Sequence, residues 1–281
     1  MTSMARNRWQ DRIITAAFWS AGIIIVAILA GIIGYVAFKG ISSISLDFIL
    51  EPPRRAGRAG GISTTIVSTV YLTALSLLLA VPVGVGSSIY LQEYTPNHSK
   101  FARLVNLTAE TLSGIPSIVF GLFGFVFFVI FLDLGWSILS GSLTLAIMIL
   151  PTITRTAQEA ILAVAQEYRE NSLALGATRW QTVSRVILPA AMPGIVTGII
   201  LSIGRAVGET AAIILTAGSS LGMPLAPTDP ARTMSVHLYI MAMEGISTER
   251  AFGTALLLVI LIIIINFLAN LSLKRFSQAV R

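Results

Sequence analysis

The sequence predicts an all-α, polytopic membrane protein of six transmembrane helices. Three observations carry that expectation. The 281 residues are 55% apolar and only 11% charged, with a mean hydropathy of +0.83, which departs strongly from soluble composition. Several runs exceed the roughly 20 apolar residues that cross a bilayer core. Lipid offers no partners for backbone N–H and C=O groups, so runs of this kind are expected to be helical.

The first span is expected over about Ile14–Phe38, behind Arg6, Arg8 and Arg12. Its uncharged run is longer than the roughly 7–15-residue core of a signal peptide, so it reads as a retained helix. The second span runs over about Ile62–Tyr90, and Pro82, Gly84 and Gly86 predict a break near its end. The third covers about Leu107–Leu132, where Gly114 and Pro116 predict a kink or local unwinding. The fourth is read over about Trp136–Thr154, the fifth over about Pro193–Ala217 and the sixth over about Ala251–Leu273. By this layout, residues 1–60 form an N-terminal segment with one span and an external loop. Residues 61–275 form the main membrane domain, and 276–281 a short tail.

Charge sets the expected orientation. With both termini cytoplasmic, twelve Lys and Arg fall on the inner face and six on the outer, as the positive-inside rule asks. Arg54, Arg55 and Arg58 run against it, in an outer Pro/Gly-rich loop that is either simply solvated or touches an external partner. A net charge of +6 gives no support to nucleic-acid binding, and the absence of cysteine excludes disulfides and thiolate metal sites.

The connection between the fourth and fifth spans, about residues 159–190, is the one long cytoplasmic loop. Gly176 is suited to end a helix containing Glu170, Asn171, Ser172 and Leu175. After Ala177, Thr178 and Gln181 form a capping-box pattern that starts a second helix. Trp180, Val183 and Ile187 make an apolar stripe on that helix, which Pro189 is expected to end, with Pro193 in the first turn of the fifth span. Two short helices at a tight bend predict a protruding knob able to fill a groove on a partner.

Charges within the spans are the second candidate site. Arg205 and Glu209 fall four apart in the fifth span, a spacing that lets them pair on one helical face. A central Arg costs about 2.5–3.5 kcal/mol to insert, so it normally faces protein or a wet cavity. Its planar fork suits phosphate oxygens; an ion pair that merely fixes helix packing is the other reading. Gly204 and Gly208 offer a face for close helix approach. In the third span, Glu110 and the hydroxyls of Ser113 and Ser117 flank the predicted kink, where they either line a pathway or belong to a packing feature. His98 and His237 are expected in polar loops and carry no assignment.

The coupling segment, with Glu170 and Gly176 six apart and Leu188-Pro189 beyond, resembles the cytoplasmic loop of ABC importer permeases. Asn171 and Ser172 replace the family's two alanines. Ser113-Gly114-Ile115-Pro116-Ser117 and Arg205-Ala206-Val207-Gly208-Glu209-Thr210-Ala211 narrow the likeness. Together they are similar to the A-type permeases of bacterial Pst phosphate importers, over about residues 60–275. The resemblance implies a type I ABC importer permease fold in the bacterial inner membrane. It also implies a second, C-type permease, a dimeric ATPase and an extracytoplasmic phosphate-binding protein, with phosphate as cargo and a phosphate-signalling accessory protein as a further partner. ATP and Mg²⁺ would sit on the ATPase, and this chain would bind no cofactor; it also lacks a P-loop sequence. On the same resemblance, Arg205 and Glu209 occupy the charged positions of the translocation span. The competing expectations are a permease for another oxyanion or phosphonate, a stand-alone secondary anion carrier and a membrane-embedded signalling factor.

Overall fold

The computed structural model describes residues 2–96 and 99–279, with side chains for 11–96 and 99–271. The chain starts with the long helix α1 (Thr2–Gly40), the short α2 (Leu46–Leu50) and a tiny hairpin of β1 (Pro53–Arg54) against β2 (Ala59–Gly60). Next come α3 (Ser63–Ile89), continued by wider π-helical turns to Tyr94, α4 (Lys100–Ser113), and α5 (Ser117–Gly124), continued by π-helical turns to Phe131. Then follow α6 (Ile138–Leu162), α7 (Gln166–Ala174), α8 (Arg179–Thr182) and α9 (Leu188–Gly208). The chain closes with α10 (Ala211–Thr216), α11 (Met234–Met243) and α12 (Thr248–Ala279). Among the described residues, five helical stretches are long and apolar enough to cross a membrane, and α4 with α5 supplies a sixth bent by 104°.

The core is built on α3 and α6, which run parallel. Ser142 Oγ donates to the Leu72 carbonyl at 3.2 Å near one end, and Ser88 Oγ to the Thr154 carbonyl at 2.8 Å near the other. Between these points the bare face of Gly84 admits Ile153. The buried hydroxyls of Ser68, Thr69 and Ser76 donate to carbonyls four residues back within α3, which meets the donors of these three small polar residues. On the other side of α6, Gly198 of α9 packs directly on Thr156. In contrast, the apolar stretch of α1 buries nothing, and its main neighbour is α12.

Four expectations are corrected by these elements. The second span is not broken at Pro82, Gly84 or Gly86: α3 passes through all three and only widens beyond Ile89. The third is interrupted at Gly114 and Pro116, as expected, but more sharply than by a kink: two helices meet there at 104°. The fifth starts at Arg179 rather than Pro193, because π-helical turns over Val183–Ile187 release the hydrogen bond that Pro189 cannot make. It also ends early, at Gly208. His237 lies not in a loop but buried in α11; burial, then Arg232 and Arg250, push its pKa down to about 4, so it is neutral near pH 7. His98 lies outside the described residues.

At the end of the bundle opposite α7 and α8, the hairpin displays Arg54, Arg55 and Arg58, all exposed. Its backbone takes positive φ at Arg55, Ala56 and Gly57, and Arg250 of α12 holds it by donating to the Gly60 carbonyl.

Candidate coupling knob and translocation site

The knob forms as its sequence dictates. Helix α7 ends at Ala174 with Leu175 as its cap, and Gly176 takes φ +87°, a region that a side chain disfavours. The Gly176 N–H donates to the Leu173 carbonyl at 2.9 Å and the Ala177 N–H to the Ser172 carbonyl at 3.2 Å. Those two bonds satisfy the carbonyls that the helix end leaves open. Thr178 and Gln181 then complete the capping box, with Thr178 N–H to Gln181 Oε1 at 2.8 Å and Gln181 N–H to Thr178 Oγ1 at 3.3 Å. Across the bend, Ser172 and Thr182 share a hydroxyl hydrogen bond of 2.9 Å, which the small side chain at 172 permits.

The apolar stripe of α8 divides. Val183 and Ile187 are buried against α6, whereas Trp180 is 63% exposed. Leu175 is 88% exposed, and Tyr168 and Leu173 are exposed beside it. Glu170 and Asn171 are exposed, Ala177 and Pro189 half-buried. A tip so rich in apolar side chains, next to an exposed carboxylate, suits insertion into a groove rather than contact with water. Pro189 contributes from inside the continuous helix α8–α9, so the knob passes into the fifth span without a joint.

The second site is a helix interruption. Glu209 is extended (φ −68°, ψ 133°), so α9 stops one residue before it. Arg205 and Glu209 therefore do not form the expected helical pair, and no ion pair between them occurs among the described residues. Glu209 Oε1 instead accepts the Ala212 N–H at 3.1 Å, capping the restarted helix α10, and its backbone carbonyl accepts from Ser235 Oγ. Arg205, half-buried in the last turn of α9, has no hydrogen-bond or ion-pair partner among the described residues. Gly204 and Gly208 flank it, and a Cβ added to either would meet nothing within 4 Å. This face of α9 is open.

The break before α5 lies close by. Gly121 packs against Ala212 and Gly124 against Thr216, so α5 and α10 run parallel. Their first residues, Ser117 and Ala211, are then offset by about three residues, or ~5 Å along the axis. No side chain caps α5, and the Ser117 hydroxyl has no partner among the described residues. Ser113 is committed to its own helix through the Ala109 carbonyl at 2.7 Å. Glu110 pairs with Arg155 at 3.7 Å on an exposed surface, a pair of small worth while solvated.

Two residues that carry structure at the knob were not singled out by sequence reasoning. Glu93, at the end of the second span, and Arg169, beside Glu170, form the shorter of the two ion pairs among the described residues, at 2.8 Å. A lone carboxylate directly after some thirty uncharged residues of the second span was the available signal for Glu93.

Comparisons with known proteins agree with this geometry. A family model described as "binding-protein-dependent transport system inner membrane component" matches residues 80–281. The Bacillus subtilis "probable ABC transporter permease protein YqgI" is 35% identical over 276 residues, 92% of this chain and 94% of that one. The Mycobacterium tuberculosis "phosphate transport system permease protein PstA 1" is 35% identical over 214 residues, 75% of this chain and 70% of that one. Among solved structures, a chain of a bacterial alginate ABC transporter, in complex with an alginate-bound periplasmic protein, aligns with TM-score 0.70 at 16% identity. That alignment covers 97% of both chains. A chain of the inward-facing MetNI methionine ABC transporter aligns with TM-score 0.66 at 21% identity, over 76% of this chain and 95% of that one. The all-α type I importer fold is thereby the fold of this chain. Such a subunit works in the inner membrane with a separate ATPase and a periplasmic binding protein. The chain belongs to the binding-protein-dependent ABC permeases, as a non-catalytic membrane subunit.

Proposed function

We propose that the chain forms half of the pathway of an ATP-driven importer of inorganic phosphate. Arg205 carries this reading: a half-buried guanidinium at a helix break, without an acidic partner among the described residues, on a face left open by Gly204 and Gly208. An open face of this kind fits a second permease, of the C-type, that closes the pathway around the anion. The phosphate permeases among its relatives support that cargo over other oxyanions. Glu209 shapes the site by capping α10, and Ser117 supplies a free hydroxyl near the same level, while Ser113 and Glu110 lie toward its rim. The knob from Glu170 to Pro189 receives the motor's stroke, and both termini lie in the cytoplasm. Accessory phosphate signalling through this complex belongs to the same reading. Alternating access then follows from rigid-body rocking of α8–α9 against the partner permease.

The test is uptake of labelled phosphate at micromolar concentration in cells lacking the gene, complemented with wild type or Arg205→Gln at equal membrane abundance. Uptake restored by the wild type alone supports the reading. Uptake that the wild type fails to restore, with its partner subunits present, moves the cargo to another anion; phosphonate and other oxyanions are the competitors to assay.

A further inference from the structure

Arg169 is placed between three elements. Its Nε and Nη2 donate to Glu93 Oε1 at 3.1 and 2.8 Å, tying α7 to the π-helical end of the second span. Nη1 donates to the Val164 carbonyl at 2.7 Å, and Nη2 also to the Ile161 carbonyl at 2.8 Å. Ile161 lies in the last turn of α6, and Val164 just beyond it, so the guanidinium also satisfies carbonyls that the helix end leaves open. The Arg169 and Glu93 side chains are only 15% and 12% exposed, although most of α7 around Arg169 is exposed. Every nitrogen of the fork is engaged, with partners at the end of the second span, in the last turn of α6 and just beyond it. A planar fork that bonds in two directions resists both sliding and rotation.

We infer that the Arg169–Glu93 contact is the linkage that carries displacement of the coupling knob into α3 and α6, which together form the core of the bundle. Without it, the knob reaches the bundle through the rod α8–α9, the packing of Val183 and Ile187 on α6 and the short link from α6 to α7; the tie to α3 is what the contact adds. With it, three spans move as one body, because α3 and α6 are already locked at both ends by Ser142–Leu72 and Ser88–Thr154. Arg169 and Glu93 are positioning residues: they touch neither cargo nor nucleotide. The inference rests on the coupling role proposed for the knob, and adds which side chains transmit the stroke.

The experiment uses the complete transporter reconstituted in vesicles with its binding protein, and reads labelled phosphate imported per ATP hydrolysed. Glu93→Gln removes the charge at constant shape, and Arg169→Lys keeps the charge but loses the fork. Each is expected to lower the ratio about tenfold, the usual scale of coupling between sites, and the double variant no further than either single one. A purely structural role lowers the yield of assembled complex and leaves the ratio of the surviving complexes unchanged; that result overturns the inference. If neither variant assembles, Glu93→Asp, which withdraws the carboxylate by one methylene, is measured instead, and an unchanged ratio there overturns it as well. A wild type that imports no phosphate fails the cargo reading, not the linkage. The linkage is then read as stimulation of ATP hydrolysis by the loaded binding protein, which the same variants should abolish.

Discussion

The chain interrupts its helices at Gly176 and again at Glu209, and the two breaks are built in opposite ways. At Gly176 a left-handed glycine, two backbone bonds and a capping box close the turn, leaving Leu175 and Trp180 among its most exposed side chains. At Glu209 an extended residue ends the helix, one carboxylate caps the restart, and a guanidinium is left without a partner among the described residues. The same local event therefore leaves an exposed apolar surface in one place and a charge without a partner among the described residues in the other. What decides is which groups the surroundings leave unsatisfied: apolar surface at the first, an ionised side chain at the second.

This contrast breaks most visibly through Arg205→Gln. Charge-assisted hydrogen bonds are worth about 1.5–3 kcal/mol, so uptake is expected to fall by about a hundredfold, while co-purification with the partner subunits is kept. If assembly fails instead, the guanidinium is a packing element and the two breaks are alike. Trp180→Ala, at the other break, should weaken association with the ATPase about 30-fold, the effect of losing about 2 kcal/mol at an aromatic anchor. Titration of the purified ATPase onto the membrane subunits measures it; unchanged affinity would place the docking surface elsewhere. Gly176→Val should act on the same association by about tenfold. No atom lies within 4 Å of the added Cβ, so the cost starts from the left-handed backbone, about 1–2 kcal/mol. The smallest effect is expected of Glu209→Gln, whose amide oxygen still accepts the Ala212 N–H; uptake should stay within about threefold of wild type, the scale of one net hydrogen bond. A loss equal to that of Arg205→Gln would show that the two charges work as a pair after all.

Much of this was legible in the sequence, and the pattern of success is physical. The Gly176 bend and the Thr178–Gln181 box were readable because both depend on neighbours within a few residues. Residues 114–116 could be read as a disturbance but not as a 104° turn, since the angle is set by how α4 and α5 pack on other helices. Pro189 misled for the opposite reason: proline breaks a regular α-helix, and a π-helical turn before it removes the conflict. The spacing of Arg205 and Glu209 suggested a pair only while the helix was assumed to continue. Arg169 and Glu93 lie 76 residues apart, and no local pattern joins them.

The guanidinium of Arg205, without a partner among the described residues, has a consequence for the cell as well as for transport. A subunit left alone in the membrane keeps that half-buried charge uncompensated, and its first helix buries none of its apolar stretch. An orphan copy is thus marked by its own chemistry as unfinished, a ready signal for membrane proteases. On the proposed pairing with a second permease, synthesis in step with it is the condition under which that mark disappears, and an excess of this chain should be short-lived.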